Sequence, residues 1–273
     1  MHAFVTGASG FLGEALVHLL RARRHAVTAF DANITDMRNY AGVEADVVFH
    51  LASDRAIAQG RETYREIDIG GAATLRAAFP DTTHFIYAST IWVYGSAARL
   101  IDENEALSPT TNVGRVKLEV EEYFRHAPHH TIFRFGMIYP GRAFHRHFLA
   151  PAYHRFFLVP GPGENYTGLV SLDDAVMALA SAAERSVYGI YNFVDDTPLR
   201  WRRLFEIVHD TLGGTRPRAM PPWLVRLALG DDIARFLNAD LPVSNRKAKD
   251  AGFVLKDSDF ATGLSRAKLA KLI

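Results

Sequence analysis

The chain has 273 residues, 48% of them hydrophobic and 22% charged, which supplies apolar material for a sizeable core and excludes a disordered chain. With 31 Lys and Arg against 30 Asp and Glu, the formal charge of +1 gives no electrostatic footprint for nucleic acid or an anionic membrane, and neither is expected as a partner. No cysteine occurs, which excludes disulfides, thiolate nucleophiles and thiolate metal sites and fits a reducing compartment.

In chain order, His2-Ala3-Phe4-Val5 reads as a buried strand. Thr6-Gly7-Ala8-Ser9-Gly10-Phe11-Leu12-Gly13 follows it, and Glu14 to Arg23 then carries Ala15, Leu16, Leu19 and Leu20 at helical spacing. A strand starting at His2 leaves no room for a signal peptide, and no apolar run reaches about 18 residues. A cytoplasmic protein is expected. Further strands are expected at 25–30, 46–51, 84–88 and 130–135, and helices at 11–23, 60–79, 111–126, 145–156, 172–184 and 199–212. Such alternation is the signature of a parallel sheet covered on both faces. Between the second and third strands lie only residues 31 to 45, so one crossover element is shortened or missing there. Pro-rich Arg216-Pro217 to Pro221-Pro222 sets off a last helical and irregular stretch.

The glycine turn has a physical use. Glycines at 7, 10 and 13 let the chain turn sharply, bring bare backbone N–H groups against a pyrophosphate and seat the following helix closely on the sheet. The same triplet can also be an ordinary strand-to-helix turn. After the second strand, Phe30-Asp31-Ala32-Asn33-Ile34 supplies an acidic residue 18 positions beyond Gly13. A carboxylate there accepts the ribose hydroxyls of NAD and repels the extra phosphate of NADP, so NAD is favoured without NADP being excluded. As plain turn chemistry, Asp31 and Asn33 need no ligand. The histidines do not read as a metal site. His145 and His147 lie about 200° apart on a helix, and neither they nor His126, His129 and His130 come with the carboxylates or thiolates of a closed site.

Downstream come His50-Leu51-Ala52-Ser53, Tyr87-Ala88-Ser89-Thr90 with Val93-Tyr94-Gly95, Arg134 to Arg142 (RFGMIYPGR), and Val170-Ser171-Leu172-Asp173-Asp174. In that order and at those spacings they resemble the extended short-chain dehydrogenase/reductase superfamily, which includes nucleotide-sugar epimerases and dehydratases. The resemblance covers nearly the whole chain. It implies a Rossmann-type doubly wound α/β fold, with residues 1–140 as the dinucleotide-binding core, completed by 168–196, and 141–167 with 197–273 as a smaller C-terminal substrate lobe. It also implies that Gly7, Ser9, Gly10, Phe11, Leu12 and Gly13 face phosphate, that Asp31, Asn33 and Ile34 with Leu51, Ala52 and Ser53 line the adenosine side, and that Lys117 bridges the nicotinamide ribose. Relatives commonly dimerise through the two helices expected at 60–79 and 111–126, so a homodimer is an expected partner state.

In that superfamily the chemistry rests on a Tyr and a Lys four residues apart on one helix, with a Ser or Thr hydroxyl from the neighbouring strand. A phenol with an unperturbed pKa of about 10 needs a nearby ammonium to act as a base at neutral pH. Here the helix reads Asn112-Val113-Gly114-Arg115-Val116-Lys117, so Lys117 matches the Lys, Thr90 matches the hydroxyl, and Val113 stands in the Tyr position. Valine moves no proton. Three readings stay open: another group acts, with Tyr94, Glu103, Glu164 and Tyr166 as candidates; the protein binds a dinucleotide without turnover; or the alignment slips, although Tyr123 lies on the wrong side of Lys117 to restore the spacing. Met220-Pro221-Pro222-Trp223-Leu224, Leu229-Gly230 and Ala251-Gly252-Phe253 look like the tail of atypical members that lack the Tyr. The expected function is an NAD(P)-dependent oxidoreductase or epimerase acting on a small hydroxyl or carbonyl substrate, with a nucleotide sugar among the candidates. Tyr94 and Arg142 are the substrate-side residues. The alternative is a non-catalytic dinucleotide-binding sensor.

Overall fold

The computed structural model describes residues 1–53, 65–140, 158–213 and 216–269. The expected helix at 145–156, and with it Arg142, lies outside the described residues. The chain divides into two compact units: Met1–Thr90 with Asn112–Arg134 and Ala175–Tyr191, and Ile91–Thr111 with Phe135–Asp174 and Asn192–Ile273.

The first unit is built on β1 (His2–Thr6), α1 (Phe11–Ala22), β2 (Ala26–Phe30), β3 (Val47–His50), α2 (Gly71–Ala78), β4 (His84–Thr90), α3 (Asn112–Arg125), β5 (His130–Phe135), α4 (Leu172–Arg185) and β6 (Gly189–Phe193). The strands form one six-stranded parallel sheet in the order β6-β5-β4-β3-β1-β2. Runs such as Val47–His50, buried at every residue, have no polar alternation because both faces are covered. β2 is the outermost strand, and a 3₁₀ turn at Met37–Tyr40 stands where a helix and a further strand would extend the sheet past it. This is the shortening expected from the length of residues 31 to 45. Tyr40 donates its hydroxyl to the Ile34 carbonyl at 2.8 Å and packs with Phe4 and Phe30, so the short connection still closes the core.

Two elements differ from expectation. The helix expected at 60–79 is described from Arg65: residues Arg65–Gly70 are π-helical, and α2 begins only at Gly71, where Ile34 lies so close that a Cβ would strike its side chain. The helix expected from 199 starts at Trp201, because Leu199 and Arg200 pair antiparallel with Thr167 and Tyr166.

The second unit carries short paired strands, Met137–Tyr139 with Leu169–Ser171 and Leu158–Pro160 with Arg218–Met220. Its helices are α5 (Trp201–Leu212), α6 (Pro222–Leu229), α7 (Asp231–Asn238), α8 (Arg246–Asp250) and α9 (Phe260–Leu269). Its core joins Trp201, Leu204 and Val208 of α5 to Tyr139, Leu169, Val225 and Leu264.

The units carry opposite pH liabilities. In the first, burial pushes His50 down to about 3, aided by the charge of Lys117, and pushes His84 down to about 4, aided by His129 and His130. These rings fold neutral, so their contribution is complete above pH about 6.5 and is lost as pH falls toward their folded values. Each tenfold difference in proton affinity between the folded and unfolded ring is worth about 1.4 kcal/mol. In the second, burial beside Asp174, Asp257 and Asp259 raises Asp195 well above the carboxylate range, although the Tyr139 hydroxyl 3.3 Å away opposes the change. That contribution is complete below the unfolded carboxylate value and is lost as pH rises through the raised one. Thermal unfolding across a pH series should therefore show Asp195→Asn flattening the high-pH decline and leaving the acid limb unchanged. A high-pH decline that persists in that variant contradicts the assignment.

Candidate functional site

Strand register lines up the carboxyl ends of three strands beside the middle of β4. Thr6 pairs with Phe30 on one side and His50 on the other, and His50 pairs with Tyr87. The next residues of the first three, Gly7, Asp31 and Leu51, therefore emerge in a row at the sheet edge where ligands bind in open α/β folds, while β4 runs on through Ala88 to Thr90.

The glycine turn is held closely against this row. Gly7 has φ +67° and donates its N–H to the Phe30 carbonyl at 3.1 Å. A Cβ there would come within 2.7 Å of the Ala52 nitrogen, and one on Gly13 would collide with the Gly7 carbonyl and reach 2.9 Å from the Ala8 Cα. Both clashes are with backbone, which cannot rotate away. Gly10 donates to the Gly7 carbonyl at 3.0 Å and stands before α1 with no side-chain cap, so the N–H groups of Phe11, Leu12 and Gly13 have no intrahelical partner and face outward with the positive end of the helix dipole. Gly13→Val should displace α1 from the turn, cost about 1–3 kcal/mol of stability and abolish dinucleotide binding. Unchanged dinucleotide affinity in a folded variant would remove the turn from the site.

Around the turn, Asp31 accepts from the backbone N–H of Ser9 at 2.9 Å and from its hydroxyl at 3.1 Å. Asn33 folds an Asx turn, taking the N–H and hydroxyl of Thr35 at 3.0 and 2.8 Å, while Ile34 is buried in the core. Leu51 and Ala52 are half-buried and direct their N–H groups to the Thr6 hydroxyl at 3.3 and 3.4 Å; Ser53 is exposed. The same Thr6 hydroxyl meets His50 Nδ1 at 2.9 Å, and the His50 ring stacks on Tyr87.

Lys117 lies on α3 one turn beyond Val113, and both are half-buried. Its ammonium donates to the Ala88 carbonyl at 3.0 Å and sits 5.0 Å from the Tyr87 ring centroid. Burial lowers its pKa, while the charges of Asp68 and Glu121 oppose that change. Thr90 ends β4 and is buried.

The residues considered as substitutes for a phenol are placed as follows. Tyr94 is buried and donates its hydroxyl to Asn192 Oδ1 at 2.7 Å; Glu103 accepts the Asn192 backbone N–H at 2.7 Å. Glu164 is exposed and pairs with Arg200 and Arg202, and the Arg200 guanidinium lies over the Tyr166 ring. Tyr94 and Glu103 thus brace one strand from two sides.

Sequence reasoning missed a buried ion pair behind Lys117. Arg134 donates from Nη2 and Nε to Glu121 at 2.7 and 3.0 Å, and the Ser89 hydroxyl donates to Glu121 at 2.5 Å; neither Arg134 nor Glu121 is more than 2% exposed. Its signal was present: Arg134 interrupts the buried strand Thr131-Ile132-Phe133-Arg134-Phe135, and Glu121 lies one turn beyond Lys117.

This is a parallel α/β sheet with a dinucleotide-type glycine turn at its carboxyl edge. The chain belongs to the RmlD substrate binding domain family, whose profile matches residues 1–218. It is 24% identical, over 97% of its length and all of the other protein, to a 3-diazoavenalumate denitrifying reductase of Streptomyces sp.. It is 31% identical to a probable low-salt glycan biosynthesis reductase, Agl14, of Haloferax volcanii, over 52% of this chain and 55% of that one. Among solved structures, human epimerase family protein SDR39U1 with NADPH superposes with TM-score 0.87 at 20% identity, and a dTDP-4-dehydrorhamnose reductase of Clostridium acetobutylicum with TM-score 0.84 at 17% identity, each over both whole chains. A Thermus thermophilus UDP-glucose 4-epimerase complexed with NAD has TM-score 0.77 at 19% identity, covering 97% of each chain. Of these three structures, the human protein holds NADPH and the Thermus enzyme NAD.

Proposed function

We propose that the chain is a nicotinamide-dinucleotide-dependent reductase or epimerase acting on a small hydroxyl or carbonyl substrate of nucleotide-sugar type, with NAD preferred. The observation that carries this reading is the uncapped N-terminus of α1, brought by Gly7 and Gly13 into one row with Asp31 and Leu51. The residues present fit the cofactor: bare N–H groups for a pyrophosphate, a carboxylate for ribose hydroxyls, and an ammonium beside the end of β4. When bound, the nicotinamide supplies hydride transfer.

In this reading Phe11 and Leu12 bind phosphate, with Gly7, Gly10 and Gly13 giving it room and Ser9 bordering it. Asp31 and Asn33, with Ile34 packed beneath, bound the adenosine side together with Leu51, Ala52 and Ser53. Lys117 orients the nicotinamide ribose, and Thr90 polarises the substrate oxygen. Residues 1–140 with 168–196 form the dinucleotide-binding part, the remainder is the substrate lobe, and Tyr94 and Arg142, one from each, are the candidate substrate contacts. We place the protein in the cytoplasm as a homodimer through α2 and α3, whose exposed groove is lined by Arg76, Glu122, Tyr123 and His126. Light scattering should give twice the chain mass; a monomer at micromolar concentration contradicts the dimer.

Val113 favours a second reading within the same chemistry. A ketone needs a proton at oxygen as hydride arrives, and valine cannot give one. An acceptor that needs no such proton, such as the diazo compound in the Streptomyces relative's name, does not require an acid at position 113. The deciding experiment incubates the protein with NADH carrying deuterium at C4 and two acceptor panels, nucleotide-linked ketosugars and arenediazonium compounds. Deuterium in a product from either panel supports the reductase, and the panel that works chooses between the readings. Binding of NADH with no deuterium transfer, and no exchange at a sugar carbon with nucleotide sugars, supports a non-catalytic sensor instead.

A further inference from the structure

Asp31 does more in this structure than present a charge. One of its oxygens, Oδ1, takes both donors of Ser9, the backbone N–H at 2.9 Å and the hydroxyl at 3.1 Å, and Oδ2 receives no hydrogen bond from any described residue. A converging N–H and O–H in a glycine-rich turn form the kind of donor pair that seats a phosphate oxygen. The nearest basic residue beyond β2, Arg38, is itself occupied: it donates to Asp36 through Nε at 2.9 Å and Nη2 at 2.7 Å. The Ser9 donors and Arg38, the first basic residue after β2 in sequence, are each engaged by a carboxylate of the chain.

Building on the dinucleotide reading above, we propose that the Asp31 carboxylate is an internal occupant of an anion seat made by Ser9, the seat that the 2′-phosphate of NADPH would otherwise fill. Cofactor choice then rests on occupancy as well as repulsion. With Oδ1 held by Ser9, Asp31 keeps Oδ2 available for a ribose hydroxyl, and a 2′-phosphate finds its donors spent. Emptying the seat exposes two donors that fit a phosphate oxygen, with no introduced arginine.

Two substitutions separate occupancy from charge. Asp31→Asn removes the charge but leaves a side-chain oxygen able to accept from Ser9, whereas Asp31→Ala empties the seat. Affinities for NADH and NADPH are read by nicotinamide fluorescence in the wild type, D31N, D31A and the double variant S9A/D31A. The expected result is that D31A shifts the preference toward NADPH by about tenfold more than D31N does, and that S9A/D31A, which keeps the backbone N–H but lacks the hydroxyl, loses part of that gain. Equal shifts in D31N and D31A mean that charge alone discriminates, and overturn the seat. An undiminished gain in S9A/D31A overturns it as well. If the wild type binds neither nucleotide, the dinucleotide reading itself falls and the seat falls with it, a result distinct from tight wild-type binding with equal shifts.

Discussion

Lys117→Met should lower cofactor-dependent turnover at least about a hundredfold, because it removes the ammonium proposed to orient the reacting ribose while preserving most of the side chain's volume. Affinity for NADH should weaken in the same variant, since the charge and its donors are lost together. The geometry limits how the fold can compensate. Lys117 is fixed between the Ala88 carbonyl and the Tyr87 face, so a neighbour cannot swing into its place without vacating a packed position. The nearby histidine offers no substitute: burial and the charge of Lys117 hold His50 down to about 3, and its Nδ1 is engaged by Thr6. NADH oxidation with the wild type's best acceptor, followed beside an NADH titration, reads both effects. Unchanged turnover would take Lys117 out of the site and would favour a chemistry that does not involve α3.

The second large effect concerns the support behind that lysine. Glu121→Gln leaves the Arg134 guanidinium buried without its countercharge, and loss of one partner of such a pair costs about 3–5 kcal/mol. Chemical denaturation should show that loss. The double variant Glu121→Leu with Arg134→Met should recover most of it, because two apolar groups leave no orphaned charge in the sheet. Ser89 also takes part, and in the double variant its hydroxyl loses the carboxylate it donates to. A single variant as stable as the wild type would show that the pair is not desolvated as the structure has it.

The two effects connect, since Lys117 and Glu121 are successive turns of one face of α3. Ser89 and Ala88, the β4 groups that Glu121 and Lys117 respectively contact, are adjacent in sequence. Strand β4 and helix α3 thus share two polar ties, one facing the proposed ribose site and one directed into the core. A change at Glu121 should therefore be felt at Lys117, one turn away on the same helix. We expect Glu121→Gln to weaken NADH binding even at temperatures where the variant is fully folded.

Much of the first unit was legible because local signals and tertiary demands agree there. His2–Thr6 and Val47–His50 are short apolar runs bounded by turn residues, and they can be little other than buried strands. Glycines 7, 10 and 13 follow one of them at the spacing that a close turn needs, and the short stretch between β2 and β3 left room only for the 3₁₀ turn found at Met37–Tyr40. What stayed hidden is fixed at long range. Nothing local in Leu199 and Arg200 says that they pair with Tyr166 and Thr167, and nothing in Arg65 to Gly70 specifies a π-helical turn ahead of Gly71. The partnership of Glu121 with Arg134 depends on α3 packing against β4 and β5, which spacing along the chain does not reveal. The Ser9–Asp31 contact escaped for a related reason: a turn residue and a strand-end carboxylate were each legible, but their meeting depends on the register between β1 and β2.

The function proposed for this chain rests on a nicotinamide dinucleotide held on the glycine turn, with Asp31 selecting the phosphate-free form. Titration of the purified wild-type protein with NADH and NADPH, followed by nicotinamide fluorescence, tests it most directly. Saturable binding of NADH, at least about tenfold tighter than NADPH, is the expected result. Absence of binding by either nucleotide to a protein that melts cooperatively would contradict it.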